Sequence, residues 1–351
     1  MRSFLATSFT LCGIGWLFLE RLSRHQFNHS LPPSVPVIIN DSKIAKMKLK
    51  YESYKAIKDD KVKYADCPPS RISVEGREIS FDVRKPEFYG SASVGLVSSD
   101  RTLLMKFVTS SDESFKNALS REKAVLETIG ESLKGIVPRV FPVEDERIKL
   151  HNPGCSHLIM LTSFAGDRTL CDAERMKLSK SEVARIAARV ITMVKQIHSF
   201  GIIHGDISCK NFVFKGDQID EIIESLRVID FGLAAPYSEN QTHVQESVVI
   251  NLPSNREKWQ LSPFELRGMS PSRRDDMYRV SEILYLILGG TYPFMGWNSD
   301  PSSESLAKRK TKWRAPLFSP RVFTEFHHDM VNLDFQQQPD YDKWIKLFSD
   351  I

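Results

Sequence analysis

The segment Ile203-His204-Gly205-Asp206-Ile207-Ser208-Cys209-Lys210-Asn211, followed by Val228-Ile229-Asp230-Phe231-Gly232, constrains the fold of this chain more than any other feature. Apolar residues lead into both clusters (Ile202-Ile203; Leu226, Val228-Ile229), and Phe212-Val213-Phe214 follows the first. Such runs predict short strands that present polar ends to a cleft. The spacing of the polar residues suits phosphoryl transfer. Asp206 can accept the proton of an attacking hydroxyl, and Asn211 and Asp230 can hold the magnesium ions that bridge phosphates. Two unrelated turns rich in Asp and Gly are the plain alternative, and two matches in the right order weigh against it.

Further elements fall at consistent distances upstream. Gly90-Ser91-Ala92-Ser93-Val94-Gly95-Leu96-Val97 is a small-residue turn between β-type residues, where backbone amides can approach phosphates. Taken alone it is an ordinary hairpin turn. Thr102-Leu103-Leu104-Met105-Lys106-Phe107-Val108 reads as a strand with one Lys among apolar residues, which must face solvent or an anion. Ser111 to Ile129 reads as a helix, with Phe115, Leu119, Val125, Leu126 and Ile129 on one face.

Together these motifs resemble a eukaryotic-type protein kinase. The resemblance implies an α+β, two-lobed fold with a small β-rich N-lobe (about 75–161) and a larger helical C-lobe (about 167–351). It implies ATP and Mg2+ as cosubstrate and cofactor. Gly90, Ala92 (in place of the middle glycine), Gly95 and Val97 would then form the glycine-rich loop, and Lys106 would contact the α- and β-phosphates. Glu122 is the best-placed partner for Lys106, with Glu113 and Glu127 as competitors. Thr162 to Gly166 would be the hinge against adenine, and Ser181 to His198 an amphipathic scaffold helix. Glu265, in Leu261-Ser262-Pro263-Phe264-Glu265, would close the activation segment. Asp276, at the start of the helix opened by Ser272-Arg273-Arg274-Asp275-Asp276, would bond catalytic-loop amides and so position Asp206.

The Ser272–Asp276 run and the C-terminal Pro339-Asp340-Tyr341-Asp342-Lys343-Trp344-Ile345-Lys346-Leu347-Phe348 resemble the casein kinase I group. His204-Gly205-Asp206-Ile207, with Gly for the usual Arg, is similar to vaccinia-related kinases of that group. The resemblance implies a protein kinase acting on Ser/Thr, with Asp206, Lys106 and Glu122 in the catalytic machinery and Asn211 and Asp230 as metal ligands. Gly205 removes the arginine that usually clamps an activation-segment phosphate. Ser208 stands where serine/threonine kinases usually have a Lys contacting the γ-phosphate, and Lys210 could supply that charge from another angle. Dual or Tyr specificity therefore stays open. A pseudokinase acting as a binding or scaffold module is the alternative from another class; an aminoglycoside- or choline-type phosphotransferase ranks third.

The chain has 351 residues, 41% hydrophobic, enough apolar material for one two-lobed domain. A net charge of +4 permits anionic partners without indicating nucleic acid. Protein substrates, acidic or already phosphorylated, are what the resemblance suggests, with Arg267, Arg273 and Arg274 as candidate readers and an ordinary solvated surface as the plainer reading of all three. The five cysteines show no CxxC or zinc spacing, and their odd number suggests no disulfide framework; Cys209 reads first as a packed thiol, with a modifiable thiol as the alternative. Phe4 to Leu19 is almost wholly apolar or small, shorter than the roughly 20 residues of a spanning helix. Without a small-residue cleavage site it predicts an N-terminal signal anchor (residues 1–24) and membrane association, ahead of a cleaved signal peptide with secretion, or a mitochondrial presequence. Residues 25–74 would be a polar, basic tether, and 75–351 the kinase domain.

Overall fold

Strand patterning builds the N-terminal part of the described structure. The computed structural model describes residues 71–82, 87–89, 93–108, 113–142, 159–239, 242–247, 258–289, 302–313 and 320–351. The chain divides into the units Met1–Ile38 and Ile39–Ile351, and every described residue belongs to the second. Strand β1 (Arg71–Val74) alternates exposed and buried residues, as a half-buried strand must, and pairs antiparallel with β2 (Arg77–Ser80). Glu75 and Gly76, at φ 49° and 77°, form the two-residue turn between them, a geometry whose twist matches that of the strands.

A five-stranded antiparallel sheet follows. Its members are β3 (Phe88–Tyr89), β4 (Val94–Val97), β5 (Leu103–Phe107), β6 (Val140–Phe141) and β7 (Ile159–Ser163), in the order β3-β4-β5-β7-β6. Leu96, Leu103, Met105, Phe107 and Leu161 bury one face with Ile72 and Phe81. Period-two alternation in β5 (Leu103, Met105 and Phe107 buried) puts Lys106 on the opposite face. Across that face lies helix α1 (Glu113–Ile129), which buries Leu119, Val125, Leu126 and Ile129 as its periodicity predicts.

The C-terminal part is helical. It comprises β8 (Arg168–Thr169), α2 (Leu170–Ala173), α3 (Lys180–His198), β9 (Ile202–Ile203), β10 (Phe212–Phe214), α4 (Ile219–Ser225), β11 (Arg227–Val228), β12 (Ala235–Pro236), β13 (Ser238–Glu239), β14 (Thr242–His243), α5 (Arg273–Ile287), α6 (Ser303–Lys312), α7 (Arg321–Val331) and α8 (Tyr341–Ser349). Ser179 and Glu182 close a reciprocal capping box that starts α3, whose Val183, Ile186, Val190, Val194 and Ile197 are fully buried. Helix α8 packs against the core with Trp344 and Phe348, edge-on to Phe326. Helix α5 is buried on nearly every side. Its charged residues are therefore compensated internally: Arg279 pairs with Glu265, and Glu282 with Lys310 at 2.8 Å.

The expected membrane association is corrected here. No described helix is long and apolar enough to cross a membrane. The segment Phe4–Leu19, which carried the expectation of a signal anchor, lies outside the described residues.

Candidate active site

The two motifs that opened the sequence reading are strapped together by the main chain. β9 pairs with β12, β10 pairs with β11 and β8, and the Ile229 N–H donates to the Asn211 carbonyl at 2.9 Å. The wholly buried His204 ring joins them. Its Nε2–H donates to the Ile229 carbonyl at 3.0 Å and its Nδ1 accepts from the Asp206 N–H at 3.2 Å, so these partners fix its tautomer. The Phe231 ring lies 4.7 Å from it. Asn211 ends a 3-10 turn (Cys209–Asn211), and its Nδ2–H2 donates to the Asp206 carbonyl at 2.8 Å and to Asp206 Oδ2 at 3.0 Å. The amide thereby orients the carboxylate and turns its own Oδ1 elsewhere.

Gly205 has φ +77°, and a Cβ there would sit 2.5 Å from the Leu233 carbonyl oxygen. Its N–H donates to Asp276 and its carbonyl accepts from Arg279 Nη1 at 2.6 Å. Gly205→Ala is expected to cost about 1–2 kcal/mol from the left-handed backbone alone. Thermal melting checks this: a drop of several degrees is expected, and an unchanged melting temperature would show that the loop relaxes freely.

Asp230 also adopts positive φ, 66°, which is uncommon for a side-chain-bearing residue and concentrates at functional sites. Its Oδ1 accepts from the Gly232 N–H at 3.3 Å. Lys106 and Glu122 form an ion pair at 2.6 Å, with little exposure on either side. Burial pulls the Lys106 ammonium down, but the Glu122 and Asp230 carboxylates outweigh it and hold the group above its ordinary value. Arg121 Nη1 donates to the Gly232 carbonyl at 2.8 Å, docking α1 against the Asp-Phe-Gly turn. Of the competitors, the Glu113 side chain lies outside the described residues, and Lys106 binds Glu122 rather than Glu127. Gly95 is opposite Lys106 in the β4–β5 register and Val97 is opposite Leu104. Gly90 and Ala92 lie outside the described residues. Lys210 is exposed beside Asn211.

Asp276 lies where the sequence expected it. Its carboxylate accepts from the His204 N–H at 2.7 Å, the Gly205 N–H at 3.0 Å and His198 Nε2 at 3.0 Å. His198 Nδ1 in turn accepts from the Tyr341 hydroxyl at 2.6 Å, so a buried chain of hydrogen bonds runs from α8 to the loop that carries Asp206. Arg279 and Tyr341 were missed in the sequence. The Asp-Tyr-Asp-Lys-Trp run pointed to the region of Tyr341 but not to its partner.

Two expectations need correction. Arg273 and Arg274 are not free to read anionic substrates. Both are buried, Arg273 donating to the Gln336 carbonyl at 2.7 Å and Arg274 to Glu246 at 2.6 Å, with its guanidinium 3.8 Å over the Phe264 ring. Arg267 is exposed, with its Nε 3.5 Å from Glu304. Cys209 is not a packed thiol: it forms a disulfide with Cys171.

The family model for the protein kinase domain matches residues 90–346. Over 180 residues the chain is 29% identical to casein kinase 1-like protein HD16 of Oryza sativa subsp. japonica, covering 50% of this chain and 25% of that protein. It is 27% identical over 183 residues to casein kinase I homolog 3 of Schizosaccharomyces pombe, covering 50% and 41%. The chain thus spans less than half the length of these two relatives. A solved structure of vaccinia related kinase 3 shares the fold with a TM-score of 0.60 at 15% identity, covering 88% of this chain and 95% of that one.

Proposed function

This chain belongs to the protein kinase family, and we propose that it transfers the γ-phosphoryl group of ATP to serine or threonine hydroxyls of proteins. The carrying observation is the joint placement of Lys106–Glu122, Asp206–Asn211 and Asp230. A module that only binds has no chemical need for that full set.

The residues fit the ATP and divalent cation that the family implies. Among the described residues no group of three His, Cys, Asp or Glu could hold a metal by itself. A site built from the Asp230 carboxylate and the Asn211 amide oxygen suits Mg2+, which takes few protein ligands and completes its shell with phosphates and water. When bound, the cation neutralises charge on the phosphates. Lys106, held charged by its carboxylate neighbours, contacts the α- and β-phosphates, and Glu122 keeps it aimed. Asp206, fixed by Asn211, orients the acceptor hydroxyl and takes its proton as the oxygen–phosphorus bond forms and the bond to the ADP oxygen breaks. The exposed Lys210 supplies positive charge near the γ-phosphate in place of a Lys at Ser208.

The full-length chain with labelled ATP and Mg2+, offered casein, a basic protein and a poly-Glu-Tyr polymer, tests this reading. Phosphoserine or phosphothreonine is the expected product. Phosphotyrosine alone would overturn the acceptor assignment, and no transfer by a folded chain would favour a pseudokinase.

Gly205 stands where kinases usually carry the arginine that holds a phosphorylated activation segment. Phosphatase treatment is therefore expected to leave turnover unchanged, as measured on the same acceptors. A collapse in rate would show that another cation does that work.

A further inference from the structure

We infer that the Cys171–Cys209 disulfide positions the catalytic loop, and that its oxidation state sets the turnover of this kinase. The inference rests on the roles proposed above for Asp206 and Asn211. Cys209 precedes Asn211 by two residues, and Cys171 lies in α2, with the two Cα atoms 5.0 Å apart, within the usual range for such a bridge. Helix α2 is a fixed post. Leu170 and Ala173 are fully buried, and Asp172 Oδ2 accepts from the Thr169 N–H at 2.8 Å and the Thr169 hydroxyl at 3.0 Å.

Thr169 is also the ladder partner of Val213. The disulfide and this pair therefore close a small ring, running through residues 169–171 on one side and 209–213 on the other. Asn211 sits in the middle of the five-residue side. Its Nδ2 holds both the carbonyl and the carboxylate of Asp206, so the ring's stiffness passes directly to the proposed base. Without the bridge, the loop between β9 and β10 keeps its hydrogen bonds and the packing of Ile207 and His204, but no covalent tie to α2. The surrounding core, including Leu170, Phe212 and Phe214, is built from many other buried apolar side chains, with Cys209 packed only at its edge. Reduction is thus expected to loosen the loop without unfolding the chain.

Both cysteines are only partly buried, so reduction by a small thiol is expected. A thiolate attacks one sulfur, breaking the S–S bond and forming a mixed disulfide. A second thiol then displaces it, leaving the Cys171 and Cys209 thiols and one oxidised thiol dimer. Oxidised glutathione runs the sequence in reverse.

The test uses the full-length chain with dithiothreitol, with oxidised glutathione, and as the C171S/C209S double variant. Alkylation without reductant, read by mass, should leave Cys171 and Cys209 unmodified. Reduction should speed amide exchange across residues 203–214 and lower kcat by roughly ten- to a hundredfold, the loss expected from misplacement of about 1 Å, while KM for the acceptor stays put. Oxidised glutathione should restore both readouts, and the double variant should match the reduced state and ignore reductant. Ready alkylation of both cysteines, or exchange and kcat indifferent to redox state, would overturn the inference. A chain that transfers no phosphate in either state defeats the catalytic assignment instead, and amide exchange then still judges the tether.

Discussion

Asp206→Asn is expected to lower kcat by about 10²–10⁴-fold, the range for losing a positioned general base. The substitution keeps the shape of the side chain and one oxygen, so the amide of Asn211 retains an acceptor near the 3.0 Å contact it makes now. It removes the capacity to take a proton. Lys106, Glu122 and Asp230 are untouched, so KM for ATP should change little. Melting should stay close to that of the parent chain, because Asp206 is only partly buried and its backbone N–H still meets His204. Single-turnover transfer from labelled ATP separates this outcome from its rivals. A rate within a few-fold of the parent would remove Asp206 from the chemistry. Equal, residual incorporation by both proteins would assign the fold to binding.

Legibility in the sequence followed the distance between partners. Asp206, Asn211 and Asp230 stand at the ends of short apolar runs, and the loop and strand geometry that places them is local, so linear motifs reveal them. Glu122 was readable only through the helical period that sets it on the face of α1 toward Lys106, and three carboxylates competed until the 2.6 Å contact separated them. Buried charge compensation was harder. Arg279 and Glu265 are 14 residues apart, and Lys310 and Glu282 are 28 apart. An Arg or Lys inside a helix reads as a solvated face until the packing is known, and Arg273 and Arg274 read as solvated surface, with substrate reading as the sharper alternative, for the same reason. The Cys171–Cys209 bridge spans 38 residues and depends on α2 meeting the catalytic loop. With five cysteines and no recurring spacing, nothing local marks that pair.

Asp276→Ala should be the most damaging substitution away from the reacting atoms. The carboxylate is 1% exposed and accepts from two main-chain N–H groups of the catalytic loop and from His198. Alanine leaves those donors buried without an acceptor and deprives Arg279 of a nearby counter-charge. Breaking a buried charged network this way costs about 3–5 kcal/mol, a drop of roughly 10 °C in melting temperature. The catalytic loop loses its anchor as well, so kcat should fall even where the variant is folded. Asp276→Asn keeps one acceptor oxygen but turns an NH2 toward another donor, so it should fall between parent and Ala. The pH dependence has a defined sign. Burial pushes the Asp276 carboxyl up, but His198, His204 and Arg279 outweigh it and hold it below its ordinary value. A depressed folded pKa gives stability that is present above the unfolded pKa of about 3.9 and is lost as pH falls through the folded value. The gap in melting temperature between parent and Asp276→Asn should therefore hold steady from pH 8 to 5 and narrow only in stronger acid. A gap that closes near neutrality would mean that Asp276 is protonated there and does not hold the loop as a carboxylate. If the Ala variant melted within a degree or two of the parent with kcat intact, the His204 and Gly205 amides would not depend on this residue for their geometry.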